Sequence, residues 1–165
     1  MDSIILIGMP GSGKSTLGRK LARRLDFNFI DTDLLIETHQ RKKLQTIVDQ
    51  QGYLTLREIE SQELQQLQLD HNVVATGGSA VYSNEAMKHL QKQGVIVYLK
   101  VDFKEIVKRI DNESCRGIAR PADQNLQSVY AERTPLYERF ADVTMDNNRP
   151  LSLDKVVNYL NIRSV

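Results

Sequence analysis

The chain of 165 residues has no tryptophan, four prolines and a single cysteine, Cys115. A lone cysteine forms no internal disulfide and builds no zinc site with partner cysteines. It fits a free thiol in a reducing compartment. His39, His71 and His89 stand at no metal-ligand spacing. An excess of one charge sign is also missing. Lys and Arg number 22 against 21 Asp and Glu, for a formal net charge of +1. That balance argues against a general nucleic-acid or membrane-surface binder, though not against a local basic pocket. No apolar run approaches the roughly 20 residues of a membrane span. The opening MDSIILIG is too short for a secretory core and has no basic stretch before it. A cytoplasmic monomer is expected, with no nucleic acid and no membrane among its partners.

What is present is ordinary for a globular protein. Apolar residues make up 41% and charged residues 26%, enough for one domain over residues 1–165 with a real core. Short apolar runs at 3–7, 27–31, 72–76, 95–99 and 142–145 alternate with helical patterns at 15–25, 53–69, 84–93, 103–110, 126–140 and 151–160. The first, third and fourth runs have continuous apolar stretches, as strands buried on both faces do. The alternation predicts an α/β fold with a five-stranded parallel sheet flanked by helices. Pro135 inside a helical pattern predicts a kink or a fresh start near Thr134. Residues 111–125 have few apolar side chains and carry Gly117 and Pro121, which predicts a mobile loop.

GMPGSGKST, Gly8 to Thr16, follows the first strand and opens a helix. It satisfies G-x-x-x-x-G-K-[ST] in the required context. Gly8, Gly11 and Gly13, with Ser12 between them, let the chain wrap a phosphate with its N–H groups inward. The helix adds its positive end. Lys14 supplies charge for the β- and γ-phosphates, Ser15 offers a hydroxyl to Mg²⁺, and Thr16 completes the motif. ATP and Mg²⁺ are therefore the expected cofactors. The second strand ends in FIDTD. Asp31 and Asp33, two apart, are read as pointing to one side of that strand. Paired carboxylates at a sheet's C-terminal edge are costly unless a cation or ligand hydroxyls use them. Either one alone could instead be a helix N-cap.

GMPGSGKSTLGRKLARRL, FIDTD, LREIE, ATGG and ERTPLYERFAD occur in this order. Together they resemble the shikimate kinase family of small P-loop kinases, whose architecture is that of nucleoside-monophosphate kinases. The similarity runs over nearly the whole chain. Composition and spacing alone stop at a P-loop kinase of a small acceptor. The resemblance implies a phosphotransferase acting on the 3-hydroxyl of shikimate, in aromatic amino acid biosynthesis, with a lid at about 111–125. It implies that Asp33 grips and activates acceptor hydroxyls and that Asp31 serves the Mg²⁺ shell. It implies that Arg57 and Arg133 bind the acceptor carboxylate, a task suited to the planar guanidinium. Glu60, three residues after Arg57, can fix its rotamer. Arg116 or Arg120 would close over the phosphates, with Arg116 favoured by its distance from Arg109. Arg109 and Arg149 are the adenine-side positions.

VVATGGSAVY is the remaining motif. Gly77 and Gly78 are expected to bring backbone N–H groups against the acceptor, with no Cβ in the way. The family usually carries a third glycine where this chain has Ser79. A serine there is strained if the position needs a positive φ; otherwise its hydroxyl projects into or beside the pocket. Together with the altered lid, Ser79 leaves open a related kinase for another hydroxy acid, polyol or nucleotide. A weakly catalytic nucleotide-binding regulator is the third reading.

Overall fold

A computed structural model describes residues 3–110 and 117–163, with side chains through Leu160. The elements run β1 (Ser3–Ile7), α1 (Lys14–Leu25), β2 (Asn28–Asp31), α2 (Thr32–Gln40), α3 (Leu44–Gln51) and α4 (Tyr53–Gln66). They continue with β3 (Asn72–Ala75), a 3-10 turn (Ala80–Tyr82), α5 (Asn84–Gln91), β4 (Gly94–Lys100), α6 (Phe103–Arg109), α7 (Leu126–Phe140), β5 (Val143–Asp146) and α8 (Leu153–Arg163). The strands form one parallel sheet in the order β2-β3-β1-β4-β5. The expected α/β architecture is therefore observed.

Burial follows position in the sheet. Every residue of central β1 and its neighbour β3 is buried. Edge strand β5 alternates buried and exposed residues, as a strand covered on one face does. One core packs Ile5, Val74, Ile96 and Tyr98 against α5 and α7. A second packs Ile4, Leu6, Val73 and Val97 against α1 and α8. A third, smaller cluster joins Ile36, Ile47 and Leu56 of α2–α4 to Ala119.

Two expectations are corrected. Helices α2 and α3 were not visible in the sequence pattern. Each is short, and each buries a single apolar side chain fully, Ile36 or Ile47. α2 also ends on Arg41 at φ 51°, a left-handed stop without the usual glycine. Of the kink or fresh start expected near Thr134, the fresh start is absent: α7 runs unbroken through Pro135. Thr134 Oγ1 back-bonds to the Tyr130 carbonyl one turn earlier.

The C-terminal ends of β1 and β3 lie side by side, with Leu6 in register with Ala75. The phosphate-loop motif leaves one and the TGGS segment leaves the other. This is the sheet edge at which α/β folds place ligands. Of the expected lid at 111–125, residues 117–125 are described. Ile118 and Ala119 are buried there, not splayed into solvent. Cys115 and Arg116 lie outside the described residues.

Candidate active site

The glycine loop has the shape its sequence predicts. Gly11 and Gly13 adopt φ 79° and 95°, in the left-handed region that favours glycine. A Cβ on Gly13 would also come 2.7 Å from Asn147 Nδ2. That amide donates to the Ser12 carbonyl at 2.7 Å and braces the loop from the segment after β5. Nothing in the sequence pattern singled out Asn147. Lys14 folds over the loop, and its Nζ donates to the Gly8 and Met9 carbonyls at 2.8 and 2.9 Å. Burial holds its ammonium down to about 8, with Asp33 opposing that effect. Ser12 Oγ is buried without a partner among the described residues.

Beside the loop runs a cleft of about 450 Å³, lined by Thr16, Lys20, Arg109, Asn148 and Pro150 among others. Arg109 is fixed at its wall. It donates to Glu105 at 3.0 Å and to the Asn147 and Asn148 carbonyls at 2.7 and 2.9 Å. Arg149 lines a different depression, with Asp146 and Lys155.

Ser15 Oγ donates to Asp31 Oδ2 at 2.8 Å. A hydroxyl and a carboxylate side by side suit Mg²⁺, which takes few protein oxygens and completes its shell from phosphates and water. Among the described residues no cluster of three His, Cys, Asp or Glu could hold a metal unaided. Asp31 is also the N-cap of α2, accepting from the Leu34 amide at 3.4 Å. The N-cap reading of Asp31 is therefore observed, and the cap leaves its Oδ2 beside the Ser15 hydroxyl. Asp33 is not in the strand, as expected above, but in the first turn of α2. It reaches the same place by a different route. Asp33, Pro10 and Gly78 line both the groove over the phosphate loop and an adjoining small chamber.

That chamber, about 70 Å³, is roofed by Ile118 and Ala119 and walled by Glu60, Ser79 and Arg133. For Gly77 the expectation is corrected. The Gly77 amide does not face the chamber for an acceptor; it donates to Thr32 Oγ1 at 3.0 Å. What glycine supplies is room. A Cβ on Gly77 would strike Glu60 Oε1 and lie 2.7 Å from Asp33 Oδ1. One on Gly78 would lie 2.7 Å from Arg133 Nη1. Ser79 sits at φ −94°, so the third position needs no glycine. It is buried, and its hydroxyl donates to Glu60 Oε2.

The two arginines of the motifs converge. Arg57 donates to the Ala119 carbonyl through Nε and Nη2 at 3.1 and 2.9 Å, and Arg133 Nη2 donates to the same oxygen at 3.1 Å. Glu60 is turned toward Ser79 and Asp33. Arg57 is held instead by stacking, 3.7 Å above the Tyr82 ring and 5.0 Å from Tyr53. Arg133 is 1% exposed, and its Nε has no partner among the described residues. Arg120 points elsewhere, donating to the Gln124 carbonyl at 2.7 Å and lining an outer groove with Asp49 and Tyr53. Tyr82 and Ala119 are site residues that sequence reasoning missed.

Electrostatics gives the chamber its character. Burial raises Asp33 to about 6, opposed chiefly by Lys14. Burial raises Glu60 to about 7; Asp33 pushes the same way, while Ser79 and Arg133 oppose. A folded-state Glu60 that keeps its proton above the ordinary 4.5 stabilises the fold at low pH, and that contribution is lost as pH rises through about 7. Its full size is on the order of 3 kcal/mol. Glu60→Gln is therefore expected to be more stable than the parent at pH 8 and to lose less stability between pH 5 and 8. Urea denaturation at both pH values measures this, and an unchanged pH slope contradicts it.

Comparison with known proteins gives one answer. A family model described as shikimate kinase matches residues 10–161. The shikimate kinase of Clostridium botulinum (strain 657 / Type Ba4) is 37% identical over 161 residues, covering 95% of each chain. That of Haemophilus influenzae (strain PittEE) is 32% identical, covering 96% of this chain and 92% of the relative. The structure of shikimate kinase from Acinetobacter baumannii in complex with shikimate superposes with a TM-score of 0.86 at 28% identity, over 98% of this chain and 92% of that one. A deoxyadenosine kinase from M. mycoides, at 14% identity and a TM-score of 0.58, shares the fold alone. With a family model matched over residues 10–161 and a relative 37% identical along 95% of both chains, this protein belongs to the shikimate kinase family.

Proposed function

We propose that this protein transfers the γ-phosphoryl group of ATP to the 3-hydroxyl of shikimate. One observation carries the reading. Two residues that line the chamber beside the phosphate loop each bury a polar atom without a partner among the described residues: Glu60 Oε1, which can accept from a hydroxyl, and Arg133 Nε, which can donate to a carboxylate. A buried group left unpaired is costly, so a ligand supplying both partners is favoured. A hydroxylated acid matches that pair. The kinship with a kinase solved in complex with shikimate supports the same choice.

Each residue then has a task. The loop amides and the α1 N-terminus receive the phosphates. Lys14, now held on two carbonyls, neutralises the transferred group. Mg²⁺, held through Ser15 and Asp31, would neutralise phosphate oxygens. Asp33, at the junction of groove and chamber, accepts the proton of the attacking hydroxyl as its oxygen bonds to phosphorus and ADP leaves. Arg57 and Arg133 hold the carboxylate and fix the ring. Positioning and charge account for most of the catalysis, as is usual for phosphoryl transfer. Ser79 gives no ground for a different acceptor, because its hydroxyl is taken up by Glu60.

ADP release from Mg·ATP, with shikimate or with a panel of other hydroxy acids, sugars and nucleotides, tests the reading. Stimulation by shikimate is expected; stimulation by another acceptor alone would overturn it. On the nucleotide side, Arg109→Ala cuts the tie between α6 and the Asn147–Asn148 carbonyls. It is expected to raise KM for ATP about tenfold and to leave KM for the acceptor unchanged, as initial rates with each substrate varied would show.

A further inference from the structure

Nothing in the backbone asks for a hydroxyl at position 79. At φ −94° and ψ 0° any residue fits. The hydroxyl is nonetheless buried and committed to a single bond, to Glu60 Oε2. The other oxygen of that carboxylate, Oε1, is buried without a partner among the described residues. It hangs over Gly77 next to Asp33 Oδ1, at the edge of the acceptor chamber. Lys14 and Arg133 attract Glu60 and Asp33 repels it, but a charge at a distance does not choose which oxygen faces where. A directional hydrogen bond does. Among the described residues, Ser79 is the one that supplies it to Glu60.

We propose that Ser79 is a positioning residue for acceptor recognition. By holding Glu60 Oε2, it aims Oε1 at a second acceptor hydroxyl, adjacent to the one that meets Asp33. The chamber thus recognises a pair of neighbouring hydroxyls through two carboxylate oxygens set side by side over a glycine. The inference rests on the acceptor reading given above.

The test combines a protein change with a ligand change. Ser79→Ala is expected to raise KM for shikimate about tenfold, the worth of one hydrogen bond to a charged group. KM for ATP should stay within about twofold. Ser79→Thr, which keeps the hydroxyl, should restore most of the loss. The 4-deoxy and 5-deoxy analogues of shikimate then identify the route. With one of them the Ser79→Ala penalty should vanish, because the hydroxyl that Glu60 would hold is gone. An equal penalty on shikimate and both analogues would mean general loosening and would overturn the proposal, as would no penalty at all. Should Ser79→Ala lose ATP binding, Ser79→Gly serves as the hydroxyl-free variant. A parent enzyme that ignores shikimate would overturn the acceptor reading itself. A parent that uses shikimate beside an unimpaired Ser79→Ala would overturn only the role of Ser79.

Discussion

Lys14→Met is expected to lower kcat about a thousandfold, the scale of losing one charged donor to a developing anion, in a protein no less stable than the parent. Both halves follow from the same burial. The ammonium is enclosed by the loop and held on two carbonyls. With the attraction of Asp33 and Glu60 already counted, Lys14 still titrates near 8 instead of 10.5. An amine whose folded pKa is lowered costs stability wherever it is charged, and the cost lifts as pH rises from about 8 toward 10.5. At pH 7 that cost is on the order of 3 kcal/mol. Methionine fills similar volume without charge. Single-turnover rates at saturating substrates, beside melting curves at pH 7, measure the two halves. A mutant that turned over normally, or one that melted far below the parent, would contradict the account.

Arg133→Lys should raise KM for the acceptor about a hundredfold and leave KM for ATP nearly unchanged. The substitution keeps the charge and removes the fork. Arg133 is fully enclosed, with one nitrogen on the Ala119 carbonyl and Nε buried without a partner among the described residues. A lysine ammonium in that space can reach one of these positions but not both. Initial rates with shikimate varied give the answer. A rise of less than tenfold would show that Arg57 alone holds the carboxylate.

The parts of this site that were legible in the sequence are the parts whose chemistry is local. The loop from Gly8 to Thr16 brings its phosphate-binding groups together within a few residues, so a pattern identifies it. The partners of Arg57 and Glu60 are not local. Arg57 meets a carbonyl 62 residues away, and Glu60 meets a hydroxyl 19 residues away. Helical spacing suggested that these two side chains serve each other, whereas tertiary packing sends them to different partners. Asp31 and Asp33 were paired correctly in space for the wrong reason, since the strand ends between them. Gly77 and Gly78 show a related ambiguity. A missing Cβ announces that something comes close, but it does not say whether that is a ligand or the protein's own carboxylate and guanidinium. α2 and α3 escaped because so little of their surface is apolar and buried.

The carbonyl of Ala119 has one more consequence. Arg57 and Arg133 already share that oxygen, so an incoming acid does not meet a bare pair of cations. It competes with a resident dipole. A carboxylate outbids it because it brings a full negative charge to two guanidinium groups. An ester or an amide brings only another dipole of the same kind, and the exchange gains nothing. On the proposed role of the two arginines, discrimination between an acid and its neutral analogue is thereby built in before any ligand arrives, as a comparison that the protein makes against a piece of itself.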